Sequence, residues 1–521
     1  MPDDRFRRFP HDHYPPGMKR APSGILPIIA VDRRSPVPLY RQVYEGYREA
    51  IVDRRLRAGQ RLPSTRSLAS ELGISRIPIL GAFEQLLAEG YFESRVGAGT
   101  FVAHSLPDEG PPPDAREMAR GAAAQVRPGK RVVSRASELL SPTAAPWLGG
   151  HGAFRLSAPA LDPFPFQVWS SLMARHSRNP TRSQLAYGDP MGYRPFREAL
   201  AEYLRTSRAV RCEPEQIMVV SGSQQALELS ARVLLDPRSP VWMEEPGYAG
   251  ARDVLTMAGA RLVPVPVDEE GLDVSAGIAR CANARAAYVT PSHQYPLGGT
   301  LSATRRLQLL DWAQRSGAWI LEDDYDSEYR YESLPISALQ GLDRDARVIY
   351  IGTFSKVLFP ALRVGYLVLP ADLVPRFARV RDAMDIFPPT LFQAVLTDFI
   401  TEGHFARHLR KTRQLYRERR TVLVDALTRE LGGTVEVLGA RAGMHLVAAL
   451  PKGFQDRAIS ERAAKEGLWA MPLSACYLAG DSRQGLVLGY GGTDARRIPD
   501  AVRRLRKVIL AGRAGSGAPR R

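Results

Sequence analysis

The 521-residue chain has only three cysteines, Cys212, Cys281 and Cys476, widely separated and without a Cys-x-x-Cys pair. That excludes a disulfide framework and a thiolate zinc cluster, and no metal is expected. No apolar run approaches the length that crosses a bilayer, and Met1 to Met18, rich in arginine and proline, holds no apolar segment of the secretory kind. A reducing cytoplasm is the expected setting. No internal repeat is present. What the chain does have is enough apolar material for cores, 44% hydrophobic with 17 Phe, 19 Tyr and 6 Trp, so wholesale disorder is excluded. Its length calls for two or three folded units. The formal net charge of +16 is compatible with nucleic acid or another anionic partner. Part of it gathers at the C-terminus, where residues 494–521 hold nine basic and two acidic residues, Arg503, Arg504, Arg506 and Lys507 among them. That cluster reads equally as a solvated helix face with a basic tail or as a DNA contact.

Residues 1–36, Pro- and Arg-rich without periodicity, read as a flexible arm. From Val37 the pattern changes: Leu39, Val43, Tyr47, Ala50 and Ile51 recur at helical spacing. Ser64 is positioned to cap a second helix that Gly73 closes, and Ser75 to cap a third with the stripe Ile79, Phe83, Leu86 and Leu87. Tyr91 to Val102, with Gly97 and Gly99 at its tip, reads as a β-hairpin. Residues 105–149, with Pro111, Pro112 and Pro113, read as a linker, and 513–521 as a basic tail. Between them, residues 150–512 alternate short β-rich runs (Ile217 to Val220, Ala286 to Thr290, Trp319 to Leu321, Val348 to Ile351) with helical stretches, the pattern of a parallel sheet covered by helices.

Three helices and a Gly-tipped hairpin over residues 37–104 make a winged helix-turn-helix whose third helix suits a major groove. Pro38-Leu39-Tyr40, Leu62-Pro63-Ser64-Thr65-Arg66-Ser67-Leu68-Ala69, Gly73-Ile74-Ser75-Arg76, Glu89-Gly90-Tyr91 and Gly97-Ala98-Gly99-Thr100-Phe101-Val102 closely resemble the GntR family of winged-helix repressors. The resemblance implies phosphate or base-edge contacts by Arg66, Ser75, Arg76, Arg95 and Gly97. Arginine chemistry agrees, and Ser64 and Ser75 combine capping with the capacity for a phosphate contact. The sequence departs at Ile77-Pro78, where relatives carry a polar pair, and at Gly81, where a basic residue is frequent. Readout is therefore expected to lean on Arg76, the wing and DNA shape.

In the second unit Gly352-Thr353-Phe354-Ser355-Lys356 follows an apolar strand, which puts a lysine where α/β folds bind ligands and where it can form a Schiff base with an aldehyde. Arg363, with the hydroxyls of Thr353 and Ser355, is suited to a phosphate dianion. Ser221-Gly222-Ser223-Gln224-Gln225 joins a strand to a helix and offers free amides to the same phosphate. Glu322-Asp323-Asp324-Tyr325 supplies a carboxylate for a pyridine nitrogen and a phenol for the ring oxygen, and Tyr248 an aromatic face for stacking. Bland roles compete: Tyr248 as core, Asp324 and Asp326 as solvated carboxylates, Gly222 as a turn.

That order, joined by Tyr187-Gly188-Asp189-Pro190-Met191-Gly192 and Thr290-Pro291-Ser292-His293-Gln294-Tyr295-Pro296-Leu297-Gly298, resembles the fold type I, class I aminotransferases. The resemblance implies an α/β fold with large and small subdomains that binds pyridoxal 5′-phosphate. It implies Lys356 as the Schiff-base lysine, Asp323 on the pyridine nitrogen, Tyr325 on the phenolic oxygen and Tyr248 stacked on the ring. It also implies a phosphate held by Gly222, Ser223, Gln224, Thr353, Ser355 and Arg363, with Tyr187 reaching over from a second subunit of a homodimer. Tyr295 stands where many aminotransferases have asparagine, and Val487 where the substrate-carboxylate arginine belongs, with Arg483 nearby. A buried carboxylate needs a charge partner, so efficient transamination is not expected. The two units together resemble the MocR/GabR-type regulators, which implies operator DNA and a small effector, the cofactor itself or an amine or amino acid, as partners. The alternatives are a working aminotransferase with a DNA-binding appendage and a cofactor-free scaffold.

Overall fold

The computed structural model describes residues 29–104, 134–140, 147, 150, 152–332, 336–479 and 482–514, so most of the expected arm, linker and tail lies outside the described residues. The chain divides into two compact units, Met1–Val132 and Val133–Arg521.

The first unit holds three helices, α1 (Leu39–Val52), α2 (Thr65–Leu72) and α3 (Arg76–Ala88), and the hairpin β1 (Phe92–Arg95) with β2 (Gly99–Val102). α1 buries Val43, Tyr44, Tyr47, Ala50 and Ile51, one face at helical spacing, and α3 buries Ile79, Ala82, Phe83 and Leu86 against it. The centre is aromatic: Tyr47 meets Phe83 edge-on at 5.5 Å, and Phe83 meets Phe92 at 5.0 Å. Such a core welds helix to wing. α2 begins where Ser64 Oγ accepts from the Ser67 amide at 3.1 Å and ends at Gly73, whose φ of 62° is the left-handed turn into α3. Ser75 occupies the corresponding position before α3, but its side chain makes no capping hydrogen bond. The expected cap therefore exists at α2 and not at α3.

The second unit is built on an eight-stranded sheet of β3 (Ile217–Val220), β4 (Pro240–Glu245), β5 (Arg261–Asp268), β6 (Gly271–Leu272), β7 (Ala286–Val289), β8 (Trp319–Asp324), β9 (Val348–Thr353) and β10 (Gly365–Val368). The strand order is β3-β10-β9-β8-β7-β4-β5-β6. The expected parallel sheet is in fact mixed: β10 runs antiparallel to both β9 and β3, and β6 antiparallel to β5. The reason lies in chain length. Residues 354–364 are too few for the crossover that parallel strands require, so the chain turns back on itself. Strands β3, β4, β7, β8 and β9 are buried on both faces almost throughout, which is why they read as continuous apolar runs. A second sheet of β11 (Glu436–Leu438), β12 (His445–Ala449), β13 (Met471–Pro472) and β14 (Gly485–Gly489), in the order β11-β12-β14-β13, is antiparallel and follows the long helix His404–Leu431. The three cysteines are free and buried. Among the described residues no helix is long and apolar enough to cross a membrane.

Candidate functional site

A cavity of about 440 Å³ is lined by Ser223, Gln224, Tyr248, Asp323, Tyr325, Thr353, Ser355, Lys356 and Arg363, nine residues proposed from the sequence and drawn from four separated stretches of chain. The pleat of β8 selects which carboxylate faces it. Side chains alternate along a strand, so Leu321 and Asp323 share one face while Ile320, Glu322 and Asp324 share the other. On that other face Glu322 accepts the amides of Leu339 and Gln340 at 2.7 and 2.8 Å, and Asp324 pairs with the buried Arg208 at 2.7 Å and accepts from Tyr350 at 2.5 Å. Asp324 and Asp326 are thus buried and partnered, not solvated. Asp323 accepts from Tyr288 at 2.8 Å through Oδ2, and its Oδ1 is buried without a partner among the described residues. Burial pushes its carboxyl up to about 6, against the Tyr288 hydrogen bond, which lowers it.

Opposite, Lys356 lies in the turn between β9 and β10, and burial pushes its ammonium down to about 8 although Asp326 and Asp323 favour the charged form. The same turn ends at Arg363, a non-glycine residue at φ 51° and ψ 46°, in the left-handed region that functional sites tolerate at some cost. Its guanidinium is aimed at the start of the helix Ser223–Leu234. A Cβ on Gly222 would fall 3.3 Å from both terminal nitrogens, and Gly222 itself sits at φ 107°. That helix has no side-chain cap, so its first amides and the guanidinium converge on one spot, a cradle for a dianion. Thr353 Oγ1 accepts the Ser355 amide at 3.2 Å and holds the turn in shape.

The remaining wall is aromatic and histidine-rich. Tyr248 and Tyr295 meet edge-on at 5.5 Å, and Tyr295 and Tyr325 at 6.1 Å. Tyr248 lines the cavity and is also packed, half-buried, against a hydrophobic core cluster. The Tyr325 hydroxyl donates to the His293 carbonyl and lies 3.0 Å from His293 Nδ1, which in turn lies 3.0 Å from Asp326 Oδ1. Asp326 Oδ2 accepts the Met444 amide at 3.2 Å. His445, pushed down to about 4 by burial and then by His293, is neutral at physiological pH and lies 3.1 Å from the Pro296 carbonyl. Gly443 is required here: at φ 76°, a Cβ would fall 2.0 Å from the His293 ring. The loop 290–298 is fastened by Glu244, which accepts from Thr290 N and Oγ1 at 3.1 and 2.6 Å.

Tyr288, His293, Asp326 and His445 were not singled out from the sequence for the site. The signals available were a tyrosine near the carboxyl end of the strand Ala286–Val289, the place of His293 inside the 290–298 motif and the acid Asp326 just past β8. Tyr187 is not in this cavity; it is 84% exposed, 6.0 Å from the Phe387 ring. Val487 is buried in β14 among Val447, Met471 and Leu473 and lends the cavity no charge. Arg483 does not substitute for the missing arginine, because it is a surface residue paired with Glu436. Arg155 does line the cavity, and among the described residues its side chain makes no hydrogen bond or ion pair. It is held there by the backbone bond from Gly489 to Phe154 at 3.0 Å.

In the first unit, Ser64 is spent on its cap while Ser75, Arg66 and Gly97 are exposed, and the Ser75 and Arg66 side chains make no hydrogen bond among the described residues. Arg76 Nε donates to Thr65 Oγ1 at 3.0 Å, tying α3 to α2, and Arg95 pairs with Glu93 at 2.7 Å and lies over the Phe101 ring. At the C-terminus Arg503, Arg504 and Arg506 face carboxylates of their own unit, Asp500, Glu466 and Glu430. These pairings favour the solvated-face reading of that cluster.

Architecture and site together define an α/β domain with the fold type I aminotransferase-like architecture in a chain that also carries a winged helix-turn-helix. Residues 156–495 match the family model described as aminotransferase class I and II, and residues 39–102 match that of bacterial regulatory proteins, gntR family. The chain belongs to the aminotransferase class I and II family, in the branch that carries an N-terminal GntR domain. It is 40% identical over 94% of its length, and 98% of the relative's, to the probable rhizopine catabolism regulatory protein MocR of Rhizobium meliloti. It is 32% identical over 89% of its length, and 95% of the relative's, to the HTH-type pyridoxine biosynthesis transcriptional regulator PdxR of Corynebacterium glutamicum. Among solved structures it is similar to LysN, the α-aminoadipate aminotransferase of Thermus thermophilus, complexed with N-(5′-phosphopyridoxyl)-L-leucine, at 31% identity and a TM-score of 0.66 over 73% of this chain and 99% of that one. The family is pyridoxal-phosphate-dependent.

Proposed function

We propose that this protein is a transcriptional regulator that binds operator DNA through residues 37–104 and senses pyridoxal phosphate or an amino compound through residues 150–512. The observation that carries the reading is a cavity equipped for the cofactor, in a chain whose β14 holds the buried Val487 where the resemblance expects a carboxylate-binding arginine. The unpartnered Asp323 Oδ1 fits a pyridine N–H, which would relieve a desolvation cost of about 1–3 kcal/mol. The Gly222 cradle and Arg363 fit the phosphate. When bound, pyridoxal phosphate supplies an aldehyde that condenses with amines. Lys356 would hold that aldehyde, Tyr325 its phenolic oxygen and Tyr248 its ring face, while Ser223, Gln224, Thr353 and Ser355 complete the phosphate shell. Val487, buried among apolar neighbours, weighs against turnover. Arg155 is the cation left for an anionic group on an effector.

The setting is cytoplasmic and the assembly a homodimer in which Tyr187, exposed on its own subunit, completes the partner's phosphate site. Arg66, Ser75, Arg76, Arg95 and Gly97 face phosphates or bases, with Ser64 at the edge. An effector changes DNA binding only as far as its affinities for two conformations differ. The test is binding of the full-length protein to duplex from its own upstream region at fixed salt, with and without pyridoxal phosphate and candidate amines. Specific binding altered by one of them is expected. Affinity and geometry indifferent to all of them would overturn the sensing role. Steady-state amino transfer to a 2-oxo acid at ordinary enzyme rates would establish instead the aminotransferase reading, which the intact Lys356 and Asp323 favour.

A further inference from the structure

We propose that α3 reads thymine through Ile77, whose side chain packs on the base's 5-methyl group in the major groove; the assignment rests on the DNA-binding reading above. Ile77 is 79% exposed and is the second residue of α3. A lone exposed apolar residue is unremarkable on most surfaces. Here its position decides, because the amino-terminal turns of this helix are the part of such a unit that meets base edges.

The neighbours narrow the chemistry. Gly81 lies one helical turn further on the same face, and a Cβ built there meets nothing within 4 Å. Pro78 and Leu80 are half-buried, and Glu84 is the next exposed residue. The exposed surface between Arg76 and Glu84 therefore holds one aliphatic side chain and bare backbone, with no group able to hydrogen-bond a base. The flanks are cationic: Arg66 is exposed on α2 and Arg76 is held beside Ile77 by Thr65. They suit phosphates on either side of the groove. An aliphatic side chain has one favourable partner on a major-groove edge, the thymine methyl. Against the donor and acceptor atoms of the other bases it would bury polar groups unpaired. The missing side chain at Gly81 lets the helix backbone come close enough for the contact.

The test uses the full-length protein. Duplexes are selected from a random pool, and each thymine of the selected site is then replaced by deoxyuridine, which removes only the methyl. A thymine at a fixed position in each half-site is expected, with uracil there weakening binding about fourfold per contact. Ile77→Ala should lose the sensitivity to uracil and Ile77→Val should keep it. If the unsubstituted protein tolerates uracil at every thymine of its selected site, the assignment is overturned whatever the variants do. If no sequence is selected at all, the DNA-binding reading fails and takes the assignment with it, an outcome distinct from selection with indifference to uracil.

Discussion

Lys356 illustrates how burial tunes one residue for its chemistry. An ordinary lysine at pH 7 is neutral in about one molecule in three thousand, whereas one titrating near 8 is neutral in about one in ten. The neutral amine is the form that attacks an aldehyde. Condensation of pyridoxal phosphate with the cofactor-free protein should therefore accelerate as pH rises, with a midpoint near 8 rather than above 10, read from the visible band of the lysine-bound cofactor. Lys356→Ala should show no such band; an unchanged band would place the linkage elsewhere. Asp323 works in the opposite sense. Its carboxyl is raised to about 6 by the same burial, so it stays mostly ionised at pH 7 but takes up a proton more readily than an ordinary aspartate, and a ring N–H beside Oδ1 would favour the charged form.

Among the elements, the turn from β9 to β10 and the two N-cap positions of the helix-turn-helix, only one of which carries a capping hydrogen bond, matter most. Because residues 354–364 reverse the chain tightly, Lys356 and Arg363 face one cavity instead of lying on opposite ends of a crossover helix. The caps separate two serines that look alike in sequence. Ser64→Ala removes a hydrogen bond at the start of α2 and should cost about 1 kcal/mol of stability in the first unit, measured by thermal or denaturant unfolding. Ser75→Ala removes no cap, so stability should hold while DNA affinity falls if its hydroxyl meets phosphate. A loss of stability in both variants would mean that Ser75 caps α3 in solution.

For the whole molecule, Tyr187, 84% exposed, is the residue on which the proposed homodimer is tested. In the proposed homodimer it reaches the partner's phosphate. Tyr187→Phe should then weaken cofactor retention about tenfold or more, the size of one hydrogen bond to a charged group. Mixing Tyr187→Phe with Lys356→Ala subunits should regenerate one complete site per mixed dimer and restore tight cofactor binding to that fraction. No recovery after subunit exchange, or a monomer in sedimentation, would remove the shared site. The same assembly bears on regulation, because two DNA-reading units per dimer would bind paired half-sites.

The sequence by itself determined the elements and their chemistry. Helical periodicity from Leu39 to Leu87 and continuous apolar strands from Ile217 to Ile351 are local consequences of what each segment must bury. Lysine, aspartate, arginine and a glycine-led helix start each declare what they bind, because their chemistry belongs to the residue type. Facing and partnership depend on atoms far apart in the chain, and only the tertiary structure decided them. Among the consecutive acids Glu322, Asp323 and Asp324 the family resemblance singles out Asp323, but the physical reason lies in the packed sheet, which turns that one toward the cavity and the other two toward backbone amides and Arg208. The mixed sheet, the spent hydroxyl of Ser64 beside the free one of Ser75, and the His293–Asp326 pair behind Tyr325 were invisible in the sequence. A hydrogen bond or an exposed face is a property of two packed surfaces, and one stretch of chain supplies only one of them.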